Sequence, residues 1–78
     1  SEQLPAQAEI REVLHQHIEN LPSNNRLRLH YLRNRVHMEL FMEIPESEAL
    51  PDARQISEDL GRYAWFGSLR IWHAHTEN

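Results

Sequence analysis

Two alternating runs joined by only two residues constrain this chain more than any other feature. In the first, Leu27, Leu29 and Tyr31 share one face, and Arg26, Arg28, His30 and Leu32 share the other. In the second, Val36, Met38, Leu40, Met42 and Ile44 share one face, and His37, Glu39, Phe41 and Glu43 share the other. A period of two is the period of a β-strand. Only Arg33-Asn34 separates Leu32 from Arg35, which predicts a tight hairpin. Asn34 tolerates a positive φ and Arg33 is not a preferred turn residue, so the turn type stays open. If Leu32 opposes Arg35, Tyr31 meets Val36, Leu29 meets Met38 and Leu27 meets Leu40. On the other face Arg28 meets Glu39 and His30 meets His37. A slip of one residue would turn each apolar set toward the wrong side.

Helical patterns flank the hairpin. From about residue 5 to 21, Ile10, Val13, Leu14, His17, Ile18 and Leu21 recur at the spacing of one helix face. Pro5 suits a first turn, and Leu21-Pro22-Ser23-Asn24-Asn25 is a stop. A second helix is predicted from about Leu50 to Ala64, with Pro51 in its first turn and Ala53, Ile56, Leu60, Tyr63 and Ala64 as its apolar face. Leu69-Arg70-Ile71-Trp72-His73 alternates again and reads as a last strand. The expected fold is α+β in the order α-β-β-α-β, with two helices on one face of a three-stranded sheet. The strand order is not fixed by the pattern.

At 78 residues the chain is one small domain, and a core of that size gains from disulfides, metal or a partner. It has no cysteine, which leaves metal or a partner. Eight arginines and no lysine stand against twelve carboxylates, for a net charge of −4. Arg26, Arg28, Arg33 and Arg35 form a basic block between two acidic stretches. An acidic chain is a poor nucleic-acid binder. No apolar run approaches the ~20 residues of a membrane span, and no secretory leader is visible at the start. Ser1 points to a processed form or a piece of something longer.

Two helices cover one sheet face and leave the other to Arg26, Arg28, His30, Leu32, His37, Glu39, Phe41 and Trp72. Leu32, Phe41 and Trp72 are large apolar groups to leave in water, and with Arg28 they form the expected interface, a homodimer being the default. The alternative is a half-solvated sheet with scattered apolar residues. Opposed His30 and His37 would place their β-carbons ~5 Å apart, close enough to share a borderline metal such as Zn²⁺. Glu39 and Glu43 could add oxygens. His73 and His75 lie two apart on the last strand, on the side of Leu69 and Ile71. That strand either bulges or runs past the helices. Surface histidines with no metal are the alternative. His17 is expected in the core and His15 in solvent. No nucleophile–base motif and no glycine-rich phosphate loop is present, so an enzyme is not expected.

Taken in order, Leu4-Pro5 precedes the first helix and Ile10 begins its apolar face. His30-Tyr31-Leu32-Arg33-Asn34-Arg35 reads H-x-L-R-x-R, Leu50 to Ile56 opens the second helix, and Gly67 to His73 closes on the last strand. In that order and spacing the chain resembles the C-terminal cytoplasmic domain of the cation diffusion facilitator transporters. The resemblance covers nearly the whole chain. Arg54 stands where that family often has a helix His, Phe41 where some members have a second-strand His, and His75 replaces the Asp of a final His-x-Asp-Pro. The hairpin is also shorter and lacks the usual Gly.

The resemblance implies a metallochaperone-like, ferredoxin-like sandwich spanning residues 1–78. It implies a cytoplasmic regulatory domain of an integral membrane protein, attached to the transmembrane domain of the same chain. Such a domain dimerises, senses a divalent cation such as Zn²⁺ and biases the membrane part toward transport. His30 and His73 are the ligands the motifs carry over, with His75 next; His37 comes from the register. The alternatives are a dimerisation module without metal sensing and a ferredoxin-like RNA-binding sheet. The arginine block and Phe41 motivate the latter, and the net charge opposes it.

Overall fold

In the computed structural model, which describes residues 3–23 and 26–77, the order is α1 (Gln7–His15), β1 (Leu27–Leu32), β2 (Arg35–Pro45), α2 (Ala53–Leu60) and β3 (Phe66–Thr76). This is the α+β, ferredoxin-like α-β-β-α-β arrangement. The sheet runs β1-β2-β3, with β1 antiparallel and β3 parallel to the central β2.

The hairpin has the register that alternation predicts, from Leu27 opposite Leu40 to Leu32 opposite Arg35. Its turn is settled by the backbone. Arg33 has φ 53° and Asn34 φ 63°. Two successive left-handed residues make the primed turn that matches the twist of a two-residue hairpin. Arg33 holds a conformation that a β-carbon opposes.

Both helices are shorter than periodicity suggests. α1 ends at His15, where the backbone tightens: Gln16 N–H donates to the Val13 carbonyl at 3.2 Å and His17 N–H to that of Leu14 at 2.9 Å. Such short-range bonds satisfy the orphan carbonyls of a helix end. The apolar spacing survives, because Ile10, Leu14 and Ile18 are all buried. His17 is not in the core. It is half-buried, with Nδ1 3.7 Å from an Asp59 carboxylate oxygen. Asn24 and Asn25, part of the predicted stop, lie outside the described residues.

α2 starts at Ala53 and not Leu50, because Asp52 caps it. One carboxylate oxygen accepts from the backbone N–H groups of Arg54 and Gln55, both at 3.1 Å. Pro51 therefore precedes the helix. Gly61 closes it, Ile56 and Leu60 are buried, and Ala64 is exposed rather than on an apolar face.

β3 is longer than the predicted strand at both ends. Val36 pairs with Phe66 and His37 with Ser68, so Gly67 is an extra residue, a bulge. From Met38 opposite Leu69 to Pro45 opposite Thr76 the pairing is unbroken. The core is the helix-side face: Val36, Met38, Leu40, Met42 and Ile44 are buried against Ile10, Leu14, Ile18, Ile56 and Leu60.

Candidate functional site

The face that the helices leave open is a small grid. β2 is central, so each of its outward residues has a neighbour on one or both sides. His37 lies between His30 and Ser68, Glu39 between Arg28 and Arg70, and Phe41 beside Trp72. Alternation along each strand turns all of them to the same side.

The side chains lean diagonally across these rows. Glu39 does not pair with either flanking arginine. One of its oxygens is 3.0 Å from Nε2 of His30, and the other accepts the indole N–H of Trp72 at 3.1 Å. These two hydrogen bonds, His30 first, hold the Glu39 carboxyl below its ordinary pKa of 4.5, and the charge of Arg28 adds to them.

The two arginines lie on aromatic rings instead. The Arg28 guanidinium is 5.5 Å from the Phe41 ring centre and that of Arg70 is 5.2 Å from Trp72. Phe41 and Trp72 are nearly coplanar in orientation, 12° apart with ring centres 6.5 Å apart. At the bulge, Nδ1 of His37 is 2.9 Å from the Ser68 hydroxyl. The His37 ring lies over Gly67, where a β-carbon would come within 2.6 Å of it. The missing side chain makes room for that imidazole. A hollow of about 360 Å³ opens among His30, Leu32, His37, Glu39, Ser68 and Arg70.

All four predicted interface residues are on this face. Leu32 is 60% exposed and Trp72 45%. Phe41 is half-buried beneath Arg28, which is itself exposed.

The four candidate metal ligands are divided. His30 and His37 are Cα partners on the open face. His73 and His75 pair with Met42 and Ile44, which places them on the helix side. The bulge at Gly67 lies before them and does not change their side. The strand runs on past Ile71, its last apolar residue packed on the core, so both histidines are exposed. Their rings meet edge to face, 5.4 Å between centres. Among the described residues, no three His, Asp or Glu side chains converge where they could hold a metal ion. One copy thus offers two imidazole pairs on opposite sides of the sheet. Zinc normally takes at least three protein ligands.

The Trp72–Glu39 link was not read from the sequence. The hairpin register places Glu39, but the position of Trp72 depends on a parallel register that follows a bulge. Asp52 carried a signal of its own, a capping residue just ahead of an apolar period.

No protein-family model matches the chain, and no curated protein or solved structure matches it either. No helix among the described residues is long and apolar enough to cross a membrane.

Proposed function

We propose that this domain joins two copies through its open sheet face and serves as the cytoplasmic regulatory domain of a divalent-cation exporter, responding to a metal such as zinc bound at the dimer. The observation that carries the self-association is that Leu32 and Trp72, 60% and 45% exposed, stand with half-buried Phe41 on a face no helix covers. Large apolar groups left in water on so small a domain gain by being covered. Face-to-face packing about a two-fold axis would also pool two His30–His37 pairs. That would raise the number of available imidazoles to what a zinc site needs. A ligand that binds the dimer better than the monomer shifts the balance between them, and an attached membrane part would feel the shift.

Calorimetric titration of the domain with zinc tests the sensing part. The wild type gives a saturable heat, and a variant with His30, His73 and His75 replaced by Ala gives none. Equal, negligible heats would remove metal sensing.

A second reading, association without metal, is favoured by one observation. Phe41 stands where the resemblance puts a second-strand His in some members, and it stacks on Trp72 rather than offering a ligand. That reading predicts a dimer indifferent to zinc and to chelator.

A further inference from the structure

The charges on the open face do not cancel. Away from the Arg33-Asn34 turn it carries three guanidiniums, those of Arg26, Arg28 and Arg70, against the carboxylates of Glu39 and Glu43. Both carboxylates are engaged. Glu39 is held by His30 and Trp72, and Glu43 lies 3.8 Å from Arg26. Arg28 and Arg70 are left on aromatic rings. No carboxylate among the described residues forms an ion pair with either of them.

That arrangement is stable while water covers the arginines. It is not stable when a second copy displaces the water. An aromatic ring compensates a guanidinium only in part, and a buried charge without a counter-charge is strongly unfavourable. Two copies packed face to face would enclose four such guanidiniums against only the two Glu39 carboxylates that lie between them, which leaves a surplus of positive charge. Arg28 and Arg70 stand on either side of β2, ~10 Å apart at the backbone.

We infer that the closed face takes up an oxoanion of the phosphate class, held by Arg28 and Arg70 of both copies, an inference that rests on the face-to-face association proposed above. The guanidinium fork matches the geometry of such an anion and makes charge-assisted hydrogen bonds to it. The anion is thus part of the interface, and the monomer–dimer equilibrium depends on its concentration.

Sedimentation equilibrium at fixed pH and ionic strength, with chloride exchanged for inorganic phosphate, tests this. The wild-type dimer dissociation constant is expected to fall at least tenfold in phosphate. The Arg28→Gln/Arg70→Gln variant is expected to give one constant in both salts, and Arg28→Lys/Arg70→Lys to keep part of the response. The Gln variant also controls for the general strengthening of apolar contacts by phosphate. A wild-type dimer with the same constant in both salts overturns the anion while leaving the association intact. A Gln variant that responds as the wild type does overturns it too. A wild type that is monomeric in both salts removes the association itself and the anion with it.

Discussion

The Trp72 indole on β3 reaches back over the sheet to donate to the Glu39 carboxylate on β2, Nε1 to Oε2 at 3.1 Å. Together with His30 this ties the three strands through one carboxyl group, so the pH dependence of stability should show it. The folded-state pKa of Glu39 is lowered, by the His30 and Trp72 hydrogen bonds in that order. A lowered carboxyl contributes stability above its ordinary pKa and loses that contribution as pH falls through the folded value. Thermal melts from pH 7 to pH 3 should show the wild type losing stability below about 4.5, with Glu39→Gln giving a flatter profile there. Parallel profiles for the two proteins would contradict the linkage.

The hairpin turn is a second point of test. Arg33 and Asn34 both hold left-handed φ values, and the preferred pair for such a turn is Asn-Gly. Arg33→Asn with Asn34→Gly should stabilise the domain by about 1 kcal/mol in urea unfolding, because Gly removes the β-carbon at position 34 and Asn tolerates the left-handed backbone at position 33 better than Arg does. The register should stay as it is, because the apolar partners of β1 and β2 set it.

The bulge allows a sharper experiment. Gly67 leaves room for the His37 ring, whose nearest atoms would lie 2.6–2.9 Å from an added β-carbon. Gly67→Ala should therefore push the His37 ring aside and break its bond to Ser68, at a cost of about 0.5–1.5 kcal/mol. In the His37→Ala background the same change should cost much less. A double-mutant cycle measures this coupling. Additive effects would mean that the backbone of the bulge, and not the ring, requires the glycine.

The two faces of the sheet should respond differently to truncation. Leu40 is fully buried and Leu32 is 60% exposed. Leu40→Ala should destabilise by about 2–5 kcal/mol, enough to threaten folding in a domain of this size. Leu32→Ala should change monomer stability by no more than about 0.5 kcal/mol. Chemical denaturation of dilute samples checks both.

Much of this architecture was legible in the residues, and the reasons differ by element. The hairpin could be read because period two and a two-residue link together leave one register that keeps apolar partners matched. The apolar spacing of α1 and α2 identified the helices but not their ends. Helix ends depend on single groups, such as the Asp52 carboxylate and the orphan carbonyls near His15, that periodicity does not weigh. The alternation of Leu69 to His73 shows only part of β3, because the extra residue at Gly67 breaks the pattern and a bulge cannot be told from a strand end without the partner strand. The make-up of the open face was legible, since the positions of Leu32, Phe41 and Arg28 on it follow from the hairpin alone. The diagonal bonds of Glu39 were not, because they depend on the parallel pairing of β2 with β3. The same pairing separates His73 and His75 from His30 and His37.

Self-association through the open face is the central claim, and analytical ultracentrifugation of the wild type beside Leu32→Asp/Trp72→Ser tests it most directly. The account predicts a reversible wild-type dimer and a folded, monomeric variant over the same concentration range. A wild type that stays monomeric at hundreds of micromolar, or a variant that dimerises as well as the wild type, would contradict it.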